Sequence, residues 1–286
     1  MKTTSNWNDY EIIASGGGEK LERWGDIFLL RPDPQAIWSA PFELAKYKDL
    51  HGHYIRSNTG GGQWKWIKKI PDEWTVQYNN LKFIISPTGF KHTGLFPEQA
   101  SNWDKIVKAC QGKSPTVLNL FGYTGGATVA AASAGAQVTH VDASKGMTDV
   151  CKRNCELNKL PNDRVRFIVD DCAKFVAREI RRGKTYDAVI MDPPSFGRGT
   201  GGEVWKLETD LEPLVDLCVQ VLSKKPLFFL VNSYTTGLQT QVIKNVLTRS
   251  LAKSKIHANI DAYEIGLPTN EHGIELPAGA SCFCNF

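Results

Sequence analysis

Residues 116–142 read TVLNLFGYTGGATVAAASAGAQVTHVD, and this stretch decides the fold. Thr116–Leu120 is short, with Val117, Leu118 and Leu120 apolar, and reads as a buried-type strand. A glycine-rich turn follows, Asn119-Leu120-Phe121-Gly122-Tyr123-Thr124-Gly125-Gly126. Thr124–Ala134 is rich in small residues and reads as a helix. Gln137–Val141 predicts a second strand, and Asp142 closes it. Strand, tight turn, helix and strand make one βαβ unit.

The pattern repeats downstream. Ser144–Asn158, Ala173–Arg182, Leu207–Leu222 and Leu238–Leu251 read as helices, and Val165–Val169, Asp187–Met191 and Pro226–Val231 as strands. Alternation of this kind predicts an α/β fold with a parallel sheet covered on both faces. Upstream the texture differs. Residues 1–95 are rich in Trp, Pro and Gly, with short strand-like runs at Asp26–Leu30, Trp74–Tyr78 and Lys82–Ile85. Pro32, Pro34 and Gly60-Gly61-Gly62 punctuate them. Two domains are expected: a small β-rich accessory, substrate-binding domain over residues 1–95, and the α/β domain over residues 96–286.

Composition bounds the function. The chain has 286 residues, 42% hydrophobic and 22% charged, which excludes wholesale disorder. No run of about 18 apolar residues predicts a membrane span. The N-terminal stretch lacks the pattern of a secretory signal. Seven scattered cysteines do not make a disulfide scaffold, so a reducing, cytoplasmic setting is expected. A net charge of +4 permits a polyanionic partner without demanding one.

In open parallel sheets the ligand crevice lies beyond the C-terminal ends of the strands, so chemistry is sought there. After the first strand, the glycines are expected to let backbone approach a ligand and to supply dihedrals that side chains forbid. The helix behind them offers free N–H groups. The spacing is not G-x-G-x-x-G, which argues against a dinucleotide pyrophosphate site. Asp142 lies twenty residues after Gly122. There it can accept from both ribose hydroxyls of a nucleoside, or cap the following helix. In Asp170-Asp171-Cys172 one acid can accept from an adenine amino group and the other cap a helix; Asp171 is favoured for the ligand.

The sharpest signal is Asp192-Pro193-Pro194-Ser195-Phe196-Gly197-Arg198-Gly199. Two prolines stiffen the loop, and their carbonyls are expected to serve as acceptors. An acid beside such carbonyls can hold a planar amine or amide. Phe196 can stack on a base and Arg198 can meet phosphate. After the fifth strand, Asn232-Ser233-Tyr234-Thr235-Thr236-Gly237 either lines the substrate side or caps the next helix through Thr236.

Together these loops resemble the class I S-adenosylmethionine-dependent methyltransferases. Within them, the chain is similar to the bacterial 23S ribosomal RNA methyltransferases that modify a large-subunit cytosine at C5. His92-Thr93-Gly94-Leu95-Phe96-Pro97-Glu98-Gln99 matches a T-G-x-F-x-x-Q motif, Asn119–Gly126 the glycine loop and Val141-Asp142-Ala143-Ser144 the acidic loop. Asp171 falls in the adenine-contact loop, and Asp192–Phe196 forms a D-P-P-x-F motif; the likeness covers about residues 90–240. It implies S-adenosyl-L-methionine as cofactor and a Rossmann-like seven-stranded sheet whose last strand, Ala280–Phe286, inserts antiparallel.

By position, the resemblance implies that Phe96, Gln99, Asn119, Phe121, Gly122, Thr124, Gly125, Asp142, Ser144, Asp171 and Asp192 bind the cofactor. Asp192 and Pro193 would be catalytic. Pro194, Ser195, Phe196, Arg198, Ser233 and Tyr234 would contact the substrate, a nucleobase of RNA and foremost of ribosomal RNA. Two departures stand out. No PUA-type RNA-binding domain is identifiable in residues 1–90. The Cys that C5 chemistry needs after the fifth strand is replaced by Ser233, which makes a base nitrogen a credible target.

Two other readings stay open: methylation of a protein side chain or small amine, and an NAD-dependent oxidoreductase using Asp142 on the ribose. Arg56–Lys69 interleaves Trp64 and Trp66 with cations, suiting unpaired RNA, or forms a hairpin with both tryptophans on one inner face. Arg178, Arg181, Arg182 and Lys184 read as a helix end that complements the dipole. Neither Cys282/Cys284 nor Cys151/Cys155 has zinc spacing, and no metal or membrane contact is expected. The sequence leaves the oligomeric state open, with a homodimer as one option.

Overall fold

The computed structural model describes every residue except 5, 58–60, 88–90, 199–203 and 236. The chain divides into two compact units, Met1–Ser101 with Gly266–Ala278, and Asn102–Ile265 with Gly279–Phe286.

The first unit holds a five-stranded sheet in the order β1 (Tyr10–Gly16), β2 (Glu19–Trp24), β3 (Ile27–Pro32), β4 (Gly52–Arg56), β5 (Gly62–Trp66). All neighbours pair antiparallel except β3 and β4, which are parallel. A separate hairpin pairs β6 (Trp74–Tyr78) with β7 (Leu81–Ile85). The core is aromatic and aliphatic: Ile12, Leu21, Trp24, Leu29, Val76, Tyr78 and Phe83 are all buried. It also encloses charge. Glu22 accepts from Arg31 Nε at 2.6 Å and Nη2 at 2.9 Å, and from the Tyr10 hydroxyl at 2.6 Å. Burial opposes ionisation of Glu22, but the Arg31 guanidinium and Lys20 outweigh it and hold the carboxyl at about 2.

The second unit carries the expected alternation. In order it runs α1 (Ala100–Cys110), β8 (Thr116–Leu120), α2 (Gly126–Ser133), β9 (Gln137–Asp142), α3 (Lys145–Leu157), β10 (Val165–Val169) and α4 (Cys172–Arg181). There follow β11 (Ala188–Met191), β12 (Phe196–Arg198), β13 (Val204–Lys206), α5 (Leu207–Gln220), β14 (Phe228–Ser233), α6 (Thr240–Lys253), β15 (Asn259–Pro268) and β16 (Glu275–Asn285). Helix α1 begins two residues before the unit boundary, and the end of β15 from Gly266 and the start of β16 to Ala278 belong to the first unit.

The sheet has seven strands in the order β10-β9-β8-β11-β14-β16-β15. Strands β10, β9, β8, β11 and β14 are mutually parallel, and β16 enters antiparallel beside β14, as expected. Strand order reverses between β8 and β11, and such a switch point opens a crevice at the strands' C-terminal ends. One sheet face, with Leu118, Leu120, Val189, Met191, Phe229, Val231 and Cys282, packs on Phe175, Leu211, Val215 and Ile243 of α4, α5 and α6. Helix α2 packs on β8 and β9, and α3 on β9 and β10. Among the described residues, no helix is long and apolar enough to cross a membrane.

Candidate active site

The glycine loop after β8 is shaped from beneath. A Cβ on Gly122 would stand 2.3 Å from Cε1 of His140, and one on Gly125 2.2 Å from Sγ of Cys151. A Cβ on Gly126 would come within 2.8 Å of the Trp103 ring. The protein's own lower layer thus requires these glycines, a reason for them that the sequence did not show. Nor do they supply most of the unusual dihedrals. Phe121 (φ 55) and Tyr123 (φ 51) sit in the left-handed region alongside Gly125 (φ 89), while Gly122 does not.

His140 is wholly buried, with its Nδ1 2.9 Å from the Thr128 hydroxyl. Burial lowers its pKa to about 4, so the ring is neutral. Thr128 also accepts from Asn119 Nδ2 at 2.8 Å. The Asn119 side chain is thus buried and committed to α2 rather than presented at the rim. Thr124 is likewise buried, and its carbonyl accepts from Asn154 Nδ2 at 2.9 Å.

Asp142 ends β9, half-buried. Its Oδ2 accepts the Tyr123 N–H and its Oδ1 the Ser144 N–H, each at 2.8 Å. Burial raises its pKa, and these two bonds only partly oppose the rise. Asp142 does not cap α3; Ser144 does, its Oγ accepting from Met147 N–H at 3.4 Å. Each Asp142 oxygen keeps a second acceptor site, so the carboxylate can still receive two hydroxyls.

At the tip of β10, Asp171 is the N-cap of α4 and accepts the Lys174 N–H at 2.8 Å. Asp170 accepts the Asp171 N–H at 2.8 Å and pairs with Arg178. The sequence left open which acid caps the helix: the cap is Asp171, and it uses one oxygen, so the other is left for a ligand. Val169 lies in register with Asp142 and is 48% exposed. This bare apolar side chain beside the acid was missed, although it ends the run VRFIV.

The Asp192-Pro193-Pro194 segment leaves β11 at the switch point. Asp192 is half-buried and Pro193 buried. Pro194 does not leave its carbonyl free, contrary to expectation: it accepts from the Trp205 indole at 2.6 Å. The Pro193 carbonyl accepts no hydrogen bond from a described residue. What reads as loop is partly a small hairpin, β12 with β13, which carries Trp205 against Phe121 with ring centroids 5.3 Å apart. Phe196 on this hairpin is 55% exposed. The Ser195 and Thr235 hydroxyls lie 2.7 Å apart and join this segment to the loop after β14.

Ser233 is buried, and its Oγ accepts the Thr235 N–H at 3.2 Å; Tyr234 is half-buried. The expected cap at Thr236 lies outside the described residues, as do Gly199 and the Arg198 side chain. Helix α6 starts at Thr240, with Gln239 as an N-cap that makes no side-chain bond. Phe96 and Gln99 belong to the first unit, Phe96 just before and Gln99 at the end of the short turn of helix Pro97–Gln99.

A buried polar cluster underlies the rim near β14 and was not read from sequence. Asn102 Nδ2 donates to Asn232 Oδ1 and to Ser281 Oγ, both at 3.0 Å, and Ser281 Oγ donates to Asn232 Oδ1 at 2.6 Å. The Tyr263 hydroxyl donates to Asn102 Oδ1 at 2.6 Å.

Comparison with known proteins gives this geometry its family. The model for S-adenosylmethionine-dependent methyltransferases matches residues 43–220, more than half of the chain. This chain belongs to that family. A solved SAM-dependent methyltransferase from Agrobacterium tumefaciens is 32% identical with a TM-score of 0.92, covering 99% of this chain and 92% of that one. Ribosomal RNA large subunit methyltransferase K of Neisseria meningitidis is 27% identical over 245 residues, 82% of this chain and 68% of the relative. Large subunit methyltransferase I of Cronobacter sakazakii is 35% identical over 127 residues, 44% of this chain and 32% of that protein. The methyltransferase thus spans about two thirds of the first of these two relatives and about a third of the second.

The family's cofactor fits the residues present. Asp142 offers two acceptor positions to a ribose diol, and the exposed Val169 offers an apolar surface beside it. The NAD reading is closed by the family assignment. S-Adenosylmethionine supplies a methyl group on a positively charged sulfur; the methyltransferase supplies acceptors, a rigid rim and a place for the nucleophile.

Proposed function

We propose that this methyltransferase modifies RNA, foremost RNA of the large ribosomal subunit, and that its target is a base nitrogen. The names of its relatives support the RNA substrate. The chemistry of the rim supports the nitrogen. Methylation at a pyrimidine C5 needs a thiolate to attack C6. All seven cysteines are buried, and position 233, where that family carries its thiol, is serine. Burial raises Cys172 and Cys218 well above the ordinary thiol range.

A nitrogen nucleophile needs alignment more than activation. The observation that carries the reading is the pair Asp192 and Pro193, an acid next to a carbonyl that no described residue occupies. Asp192 and the Pro193 carbonyl accept from the target's N–H groups and aim its lone pair. Phe196 stacks on the base, with Ser195 and Tyr234 lining the same rim. Phe121, Gly122, Asp142, Ser144 and Asp171 hold the cofactor, and residues 1–95 serve as the substrate-binding domain.

The test is transfer of labelled methyl to ribosomal RNA from cells lacking the gene, with nucleoside mass spectrometry to locate the product. A methylated base nitrogen is expected. Asp192→Ala should spare S-adenosylhomocysteine binding and abolish labelling. A C5-methylated pyrimidine would refute the nitrogen assignment, and labelling of protein rather than RNA would refute the substrate class.

A further inference from the structure

Strand β5 ends the order of the first sheet, so it carries a free edge among the described strands. Gly52, Tyr54 and Arg56 of β4 pair with Trp66, Trp64 and Gly62 of β5, and all six therefore share one sheet face. On it Trp64 and Trp66 stack with centroids 4.8 Å apart and planes 12° from parallel. Tyr54 braces Trp64 edge-on at 5.4 Å. Trp66 lies so close over Gly52 that a Cβ there would come within 2.4 Å of its ring. The pair is thus seated in a fixed orientation, yet Trp66 remains 44% exposed.

An exposed, immobilised tryptophan on an edge strand is unusual economy. Edge strands are normally blunted with lysine to prevent pairing with other chains, and a bare indole works against that device. Its surroundings name an occupant. From Gly52 to Ile70 the chain carries Arg56, Lys65, Lys68 and Lys69 and no acidic residue. Arg56 continues the tryptophan face, and all four cations are exposed. From outside this segment, Asp49 lies 3.8 Å from Lys68. Lys65 points to the opposite face of β5, but a flat π-surface bordered by Arg56, Lys68 and Lys69, with one acid beside them, complements a base and its phosphates rather than an apolar protein face.

We propose that the Trp64–Trp66 face of β5 docks an unpaired stretch of RNA, with a base stacked on Trp66 and flanking phosphates neutralised by Arg56, Lys68 and Lys69. This rests on the RNA reading above and adds to it a contact surface in the first unit.

The experiment titrates the full-length protein with fluorescein-labelled single-stranded oligoadenylate, and with the same strand paired to oligouridylate, by anisotropy. Trp66→Ala should weaken single-strand binding about tenfold or more, since an aromatic platform contributes at that scale, while Trp66→Phe retains most of it. Lys68→Glu with Lys69→Glu should flatten the salt dependence by about 0.7 per lost phosphate contact. S-Adenosylhomocysteine affinity should not change in any variant, which also verifies folding. Equal affinity of wild type and Trp66→Ala overturns the proposal, as does equal binding of duplex and single strand. A change in sedimentation without a change in RNA affinity overturns it in favour of a protein partner. Labelling of ribosomal RNA is read separately. A wild type that binds oligoadenylate through Trp66 but labels no RNA sinks the substrate reading and leaves this surface standing, and the converse result does the opposite.

Discussion

Gly122→Ala is the sharpest perturbation of the rim. The new methyl would lie 2.3–2.4 Å from Cε1 and Nδ1 of His140, far inside contact distance. The imidazole has little room to retreat, because it is fully buried and bonded to Thr128. The loop must lift instead. Overpacking of this kind costs ~1–3 kcal/mol. For a domain of ~150–250 residues that amounts to a melting temperature lower by about 2–12 °C. Lifting the loop also pulls the Tyr123 N–H away from Asp142, so S-adenosylhomocysteine affinity, measured by calorimetry, should fall with it. The decisive measurement is the double-mutant cycle with His140→Ala. Removing the ring should make Gly122→Ala nearly neutral, with a coupling well above the ~0.5 kcal/mol scatter of independent sites. If the two substitutions prove additive, the glycine is not there because of His140, and the account of the loop fails.

Asp142→Asn should lower S-adenosylhomocysteine affinity by about 10- to 100-fold, the scale of a hydrogen bond to a charged group. Because burial raises the Asp142 pKa and the diol needs the ionised form, wild-type affinity should fall with decreasing pH at a higher pH than for an ordinary carboxylate, and Asp142→Asn should remove that dependence. Trp205→Phe removes the donor that holds the Pro194 carbonyl; turnover should fall by up to ~100-fold with cofactor affinity unchanged, as loss of positioning predicts. In the first unit, Glu22 is held at about 2 against an ordinary 4.5. Its folded pKa is depressed, so its contribution is complete above about 4.5 and is lost as pH falls towards 2. Urea unfolding at stepped pH should show this loss, and Glu22→Gln should lower stability at neutral pH and flatten the acid limb.

The parallel sheet was legible because its strands are short runs that, in β9, β10, β11 and β14, end in or just before a polar residue at the rim. Leu118 and Leu120 face one helical layer and Asn119 the other, so the run itself carries the information. The antiparallel entry of β16 came with the family likeness, not from local pattern. Roles within a strand-end loop were harder. Asp170 and Asp171 are adjacent acids, and which one caps α4 depends on where the helix begins and on Arg178 eight residues away. The three glycines were found, but their reason lies in His140, Cys151 and Trp103, which sequence does not place beneath them. The Asn102 cluster was invisible for the same cause: its partners are 130–179 residues distant.

The two left-handed aromatic residues carry a consequence for recognition. Phe121 and Tyr123 occupy a region that is costly for side-chain-bearing residues, and they stay there because Trp205 and Asp142 hold them. The rim is therefore set in one shape before any guest arrives. A guest that fits loses little in ordering it, and one that does not fit meets a wall that will not reshape around it. Selectivity at this edge of the sheet is a matter of matching a mould already cast.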